Sequence, residues 1–219
     1  MKKYRNTWYK NLFRWFMKAT GWLPTFFIFK PKYYYKNKNI QRKRIKGAAI
    51  IVANHRTTLD PFLIMYTFTF RYIHCLVGEF VYENIPFFKM ILNLFGSIRV
   101  ERFTANPDYL NICNDILTKG GVIQIYPEGH LPKPKQTELS PFKPSAVLMS
   151  LQTKTPIIPI YHSGNYGVFK REKIAIGEPL RFYEKCQQIN PSVTELQKLT
   201  QIVQDKVNEL KIMVDHETK

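Results

Sequence analysis

The sequence predicts an α/β domain with a largely parallel central sheet flanked by helices, preceded by an N-terminal amphipathic helical segment of membrane-surface character. Three observations lead there. From Gly47 onward, short β-branched runs alternate with helical patterns. Residues 1–46 are instead basic and aromatic, without that alternation. At 219 residues the chain is long enough for one domain with a sizeable core. The expected division is a basic, aromatic interface segment over 1–46 and the α/β domain over 47–219.

In the first segment Trp8, Leu12, Trp15 and Ala19 fall at helical spacing, with Tyr9, Phe13 and Phe16 beside them. Lys10, Asn11, Arg14 and Lys18 take the other side. Aromatics facing one way and cations the other is the composition of a helix lying in a lipid interface. Thr20-Gly21 is expected to break this helix before the bulky run Trp22–Phe29, and a basic stretch carrying Tyr33–Tyr35 follows to Lys46. Ala48–Ala53 then reads as a buried strand and Asp60–Phe70 as a helix. His74–Val77 reads as a strand, Pro86–Phe95 as a helix and Ser97–Val100 as a strand. Asp108–Lys119 is a helix stopped by Gly120-Gly121, and Val122–Tyr126 a strand stopped by Pro127. Ala146–Gln152 is a helix, with strands at Ile157–Tyr161 and Lys173–Ile176. Asn190-Pro191-Ser192 opens a last helix, Ser192 and Glu195 having capping-box spacing. Its apolar stripe, from Leu196 to Val214, reads as packing.

Charge sharpens the picture. There are 33 Lys and Arg against 16 Asp and Glu, a net +17. Fifteen of the cations precede Asp60, the first acidic residue. Such a block seeks a polyanion, either an anionic lipid surface or a nucleic acid. Cys75, Cys113 and Cys186 are widely spaced and fit free thiols in a reducing compartment, with no disulfide framework or zinc site. No secretory signal is evident. The uncharged run Ala19–Phe29 is short of the about 20 apolar residues that span a bilayer. The expectation is a peripheral protein on the cytoplasmic face of the cell membrane.

Chemistry concentrates where the first domain strand gives way to a helix, the place α/β folds put their sites. This turn carries Asn54, His55 and, five residues beyond His55, Asp60. An imidazole can take a proton from an alcohol near neutral pH, and a carboxylate on its other nitrogen fixes the tautomer. No Ser or Cys nucleophile stands in a recognisable local motif, so the pair suits activation of a hydroxyl brought by the substrate. By itself, the spacing equally describes a capping Asp and a surface His.

Further motifs lie downstream in register. They are Gly96-Ser97-Ile98-Arg99-Val100-Glu101-Arg102, Tyr126-Pro127-Glu128-Gly129 and Thr155-Pro156-Ile157-Ile158-Pro159-Ile160. With Asn54-His55 and Asp60, the chain resembles the lysophosphatidic acid acyltransferase family, the glycerolipid acyltransferases with an NHx₄D motif, over roughly residues 45–180. The resemblance implies that His55 deprotonates the free hydroxyl of a lysophospholipid and that Asp60 orients His55. The acceptor would be 1-acyl-glycerol-3-phosphate, giving phosphatidic acid. The donor would be a thioester of acyl carrier protein or coenzyme A, with no cofactor and no metal. Arg102 would hold the acceptor phosphate through its donor fork, assisted by Arg99, while Glu128, Gly129 and Asn54 complete the substrate-binding set. Pro156 and Pro159 read as architecture.

Two departures fall on the acceptor side. The family's Thr-Arg-Ser after Glu-Gly is His130-Leu131-Pro132, leaving Lys133 or Lys135 to replace the absent cation. The small residues after Phe-Lys are altered to Phe142-Lys143-Pro144-Ser145-Ala146. A different lyso-lipid head group is therefore an alternative, as is a member that binds lipid without catalysis. His74 reads as a core residue, His162 as a candidate for the pocket lining and His216 as part of a fraying terminus. From another class, a nucleic-acid binder could stack bases on the tyrosine-rich arm, but that leaves the four motifs unexplained.

Overall fold

A computed structural model describes residues 7–37, 44–84, 86–101, 108–134, 136–184, 186 and 191–216. The elements are α1 (Trp8–Phe29), β1 (Lys32–Tyr35), β2 (Ala49–Ala53), α2 (Asp60–Thr67), β3 (Ile73–Gly78), α3 (Glu79–Asn84), α4 (Pro86–Phe95) and β4 (Ile98–Val100). They continue as α5 (Asp108–Thr118), β5 (Val122–Ile125), α6 (Ser145–Thr153), β6 (Ile157–His162), β7 (Lys173–Ile176), a 3₁₀ turn (Phe182–Glu184) and α7 (Val193–His216). The seven strands form one sheet in the order β1-β7-β6-β2-β5-β3-β4. Every pairing is parallel except β6 with β7. That exception follows from length, because the connection from His162 to Lys173 is too short for a crossover helix.

Alternating side chains of the strands feed two cores. Ile50 and Val52 of β2, with Ile123 and Ile125 of β5, face α5, α6 and α7. Ala49, Ile51 and Ala53 face the other way, onto Leu63, Ile64 and Phe68 of α2 and Phe29 at the end of α1. All five residues of β2 are buried, as expected of a parallel central strand covered on both sides. The predicted glycine stop after α5 is present, with Gly120 at φ +79 and the Gly121 N–H donating to the Ile116 carbonyl. The Glu195 N–H donates to Ser192 Oγ at 3.2 Å, capping α7.

The N-terminal segment differs from expectation in two ways. Thr20-Gly21 does not break the helix: α1 runs unbroken for 22 residues through Gly21 and Pro24. A Cβ at Gly21 would stand 2.0 Å from Tyr66 Oη, so this glycine lets α1 and α2 approach each other. Tyr66 donates to the Met17 carbonyl at 2.8 Å, fastening the two helices. Second, Tyr33–Tyr35 belong to β1, which pairs in parallel with β7; the sheet thus begins upstream of the expected boundary at 46/47.

The polarity of α1 is inverted. Arg14 and Lys18 are buried, while Trp8, Leu12, Trp15, Phe16, Trp22, Leu23 and Phe26 are exposed. Arg14 lies over the Tyr72 ring, 3.1 Å from its centroid, and its Nε donates to the Leu94 carbonyl at 3.0 Å. The Lys18 ammonium donates to the carbonyls of Thr69 and Arg71 at 2.7 and 2.6 Å. Burial, then the neighbouring Arg14 charge, lowers the Lys18 amine to about 8. Among the described residues, no helix is long and apolar enough to cross a membrane.

Candidate active site

Strands β6, β2 and β5 are adjacent and parallel, so their carboxyl ends open on one edge. His55 stands just past β2, Tyr126 and Glu128 just past β5, and His162 is the last residue of β6. Parallel pairing thus gathers residues more than a hundred positions apart, as in other open α/β sheets.

At the centre, His55 Nδ1 lies 2.6 Å from Asp60 Oδ2. A carboxylate only accepts, so the shared proton sits on Nδ1 and Nε2 keeps its lone pair. The His55 ring is stacked on Tyr126, with centroids 4.2 Å apart and planes 12° from parallel, and 19% of the side chain remains exposed. Asp60 is wholly buried as the first residue of α2. Its Oδ2 also accepts the backbone N–H groups of Arg56 (2.6 Å) and Thr57 (2.9 Å). Its Oδ1 accepts the hydroxyls of Thr57 (3.0 Å) and Tyr166 (2.6 Å). Burial opposes ionisation of this carboxyl, but its hydrogen bonds, that from His55 foremost, outweigh burial and hold it down at about 2.

The remaining expected residues divide. Asn54 is buried, and its amide is engaged at both ends by the backbone of His162: Nδ2 donates to the carbonyl and Oδ1 accepts the N–H, each at 2.9 Å. His162 Nε2 returns a hydrogen bond to the Asn54 carbonyl at 2.8 Å, and burial lowers its pKa, favouring the neutral ring. These bonds extend the β2–β6 pairing past the strand ends. Glu128 is also buried; one carboxylate oxygen accepts the His55 N–H and the other the Ser140 N–H, both at 2.8 Å. Asn54 and Glu128 therefore brace the His55 turn with the polar groups expected to meet substrate.

Gly129 has φ +74, and a Cβ there would meet Lys143 Nζ at 3.0 Å, so the exposed Lys143 amine packs against the turn after β5. Arg99 lies on the edge strand β4, with Nη2 3.6 Å from Glu101 and 4.0 Å from Glu79. Arg102 and Lys135 lie outside the described residues. His74 is a core residue: its Nδ1 stands 2.9 Å from the Gly96 carbonyl, and burial lowers its ring to about 4.

Sequence reasoning does not find Tyr166 or Thr57, the two hydroxyl donors to Asp60. Thr57 is within its reach, as a hydroxyl three residues before an N-terminal helical Asp. For Tyr166 the one local cue is its setting among glycines in Gly164-Asn165-Tyr166-Gly167, in the loop that leaves β6.

Comparison with known proteins identifies the family and the fold. A family model described as Acyltransferase matches residues 32–163, well over half of the chain. The chain is 26% identical over 170 residues to a 1-acyl-sn-glycerol-3-phosphate acyltransferase of Borreliella burgdorferi, covering 74% of this chain and 65% of that protein. It is 26% identical over 133 residues to a protein of the same name from Cocos nucifera, covering 58% of this chain and 41% of the other. It thus spans less than two thirds of either relative. The crystal structure of the 1-acyl-sn-glycerophosphate acyltransferase PlsC from Thermotoga maritima superposes with a TM-score of 0.63 at 20% identity, covering 92% of this chain and 81% of that one, which shows a shared fold. The family match runs from β1 through β6 and contains the whole His55–Asp60 turn: the chain belongs to the Acyltransferase family.

Proposed function

We propose that the protein transfers a fatty acyl group from an acyl thioester to the free hydroxyl of 1-acyl-glycerol-3-phosphate, forming phosphatidic acid at an anionic membrane surface. The observation that carries this reading is the 2.6 Å contact between His55 Nδ1 and buried Asp60, which leaves Nε2 as a base on a partly exposed ring. His55 Nε2 takes the hydroxyl proton as the oxygen attacks the thioester carbonyl. Asp60 stabilises the imidazolium that forms. As the tetrahedral intermediate collapses, the C–S bond breaks and the departing thiolate recovers the proton from His55. Direct transfer is favoured because no Ser or Cys nucleophile stands in a recognisable local motif beside the pair, and burial pushes the Cys75 thiol up to about 12, against its thiolate.

The substrate assignment follows the relatives' names and the local charge. Exposed Lys143 beside Gly129 supplies a cation where His130-Leu131-Pro132 lacks one, and a positive charge there suits an acceptor phosphate together with Arg102. Acyl carrier protein and coenzyme A are both acidic and both fit a chain of net charge +17. Exposed aromatics on α1, with two of its cations turned inward, suit a lipid surface better than a nucleic acid. The site would work from the cytoplasmic face as a peripheral protein.

The test is an acyl-transfer assay with purified protein, both donor types and a panel of lyso-lipids, with products identified by mass spectrometry. Wild-type protein should form phosphatidic acid. His55→Ala should abolish transfer while folding and liposome binding persist. Acylation of a different lyso-lipid would replace the acceptor assignment, and an active His55→Ala protein would remove His55 from the chemistry.

A further inference from the structure

Tyr166 lies outside every sequence motif and makes the one described hydrogen bond to Asp60 that comes from outside the His55 turn itself. Its loop, Ser163–Glu172, is held at both ends. The Gly164 N–H and the Ser163 hydroxyl each donate to buried Glu172 Oε1 at 3.1 Å. The Gly167 N–H donates to the Ile28 carbonyl and the Glu172 N–H to the Phe29 carbonyl, both at 2.8 Å. The Tyr166 ring meets Phe29 edge-on, with centroids 4.9 Å apart and an interplanar angle of 76°. On its other side stands His162, with ring centroids 6.4 Å apart at 17° and its Nδ1 3.3 Å from the Tyr166 hydroxyl. The phenol is thus fixed by the end of α1 and the end of β6, and its hydroxyl reaches Asp60 Oδ1 at 2.6 Å.

A carboxylate bonded only through its own turn would be free to rotate with that turn. The three hydrogen bonds on Oδ2 come from residues 55–57 and move together. Thr57 Oγ1 on Oδ1 belongs to the same segment. Among the described hydrogen bonds Tyr166 supplies the external reference for the carboxylate plane, while His162 Nε2, 3.8 Å from Oδ2, is beyond hydrogen-bond distance. Burial, and then the Asp60 charge, raise its phenol well above the usual range, so it remains a donor at every working pH.

We propose that Tyr166 is a positioning residue for acyl transfer: its hydroxyl holds the Asp60 carboxylate so that Oδ2 stays aligned on His55 Nδ1. This rests on the acyl-transfer reading above. It also places the end of α1, the helix with the exposed aromatic face, one ring contact and one hydrogen bond from Asp60.

The discriminating variant is Tyr166→Phe, which keeps the ring and its packing on Phe29 and removes one oxygen. Four purified proteins are compared by steady-state kinetics: wild type, Tyr166→Phe, Asp60→Asn and the double variant, with His55→Ala as control. Tyr166→Phe is expected to lower kcat about tenfold, with KM for both substrates within about twofold, because the lost contact is not to substrate. In the Asp60→Asn background the same substitution should change kcat by less than about twofold, since residues acting through one another are not additive. Full kcat in Tyr166→Phe, or an equal loss with and without Asp60, would overturn the proposal. An equal rise in KM and fall in kcat/KM at unchanged kcat would also overturn it, by placing Tyr166 in binding. An active His55→Ala control would instead overturn the role of His55 as base, on which the proposal stands, and absence of transfer by wild-type protein would overturn the acyl-transfer reading itself.

Discussion

Replacing Asp60 with asparagine separates two things a carboxylate does for a histidine base: holding its tautomer and stabilising its cation. The five donors around Asp60 decide which survives. Oδ2 faces the Arg56 and Thr57 N–H groups and the His55 ring, whereas Oδ1 faces the hydroxyls of Thr57 and Tyr166. Backbone N–H groups cannot become acceptors, but hydroxyls can turn. The substituted amide must therefore place its oxygen in the Oδ2 position and its NH₂ toward Thr57 and Tyr166. The Nδ1–H tautomer of His55 survives, and only the charge is lost. A unit charge about 4 Å from the imidazolium interacts by about 4 kcal/mol at an effective dielectric of about 20. About half of that persists as a neutral hydrogen bond. The expected loss is then about 2 kcal/mol, or about 30-fold in kcat, less than the roughly 10⁴-fold seen where the same substitution flips a tautomer. Steady-state kinetics against His55→Ala provides the measure. A loss below tenfold would refute stabilisation of the imidazolium by Asp60; a loss as complete as that of His55→Ala would refute the amide orientation. The same variant tests the acid side. Asp60 is depressed from 3.8 to about 2 in the fold, so its contribution, about 2 kcal/mol, is present above about pH 4 and lost as pH falls toward 2. Thermal unfolding across that range should show the decline in wild type and lack it in Asp60→Asn.

Two further substitutions address the brace and the helix face. Glu128→Gln leaves either the His55 or the Ser140 N–H facing an amide donor, since each now bonds one carboxylate oxygen. It should cost about 1–3 kcal/mol of stability by chemical denaturation, and lower kcat more than it raises KM. Trp15 and Phe16 of α1 are 56% and 60% exposed, so Trp15→Ser with Phe16→Ser should leave the melting temperature nearly unchanged. Partitioning to anionic liposomes should fall about tenfold or more, because each ring would bury apolar area in the interface; unchanged sedimentation with liposomes would remove α1 from the lipid contact.

Much of the sheet is legible along the chain because its strands are short, β-branched and bounded by turn residues. Lys173–Ile176 and Pro86–Phe95 have the same bounds in sequence reading and structure. β1 is not legible, for a physical reason: Lys32-Tyr33-Tyr34-Tyr35 has the aromatic and basic composition of an interface segment, yet its backbone supplies the edge ladder of β7 and its Tyr34 enters the core. In the site, His55 and Asp60 are legible because one turn carries both. Glu128 and His162 are 73 and 107 residues from His55, and only the parallel pairing of β6, β2 and β5 brings them to it. A motif names such residues without saying whether a polar side chain meets substrate or backbone. For Asn54 and Glu128 it meets backbone.

The helix α1 shows why composition and placement must be argued separately. Cations opposite aromatics suggest a helix that floats on lipid, each cation adding about 1 kcal/mol of attraction near an anionic leaflet. Arg14 and Lys18 do not act that way. They point inward, where the carbonyls of Leu94, Thr69 and Arg71 hold them against α4 and the segment between α2 and β3. Buried and bonded, they no longer contribute to the attraction of lipid, but they set the rotation of the helix about its axis. With the cationic side turned inward, the face bearing Trp8, Trp15, Trp22 and Phe26 must point outward. The far end of the same helix meets Tyr166 through Phe29. The residues that composition assigns to membrane attraction are therefore the ones that orient the aromatic face, and they fix the helix whose last ring abuts the loop bonded to Asp60.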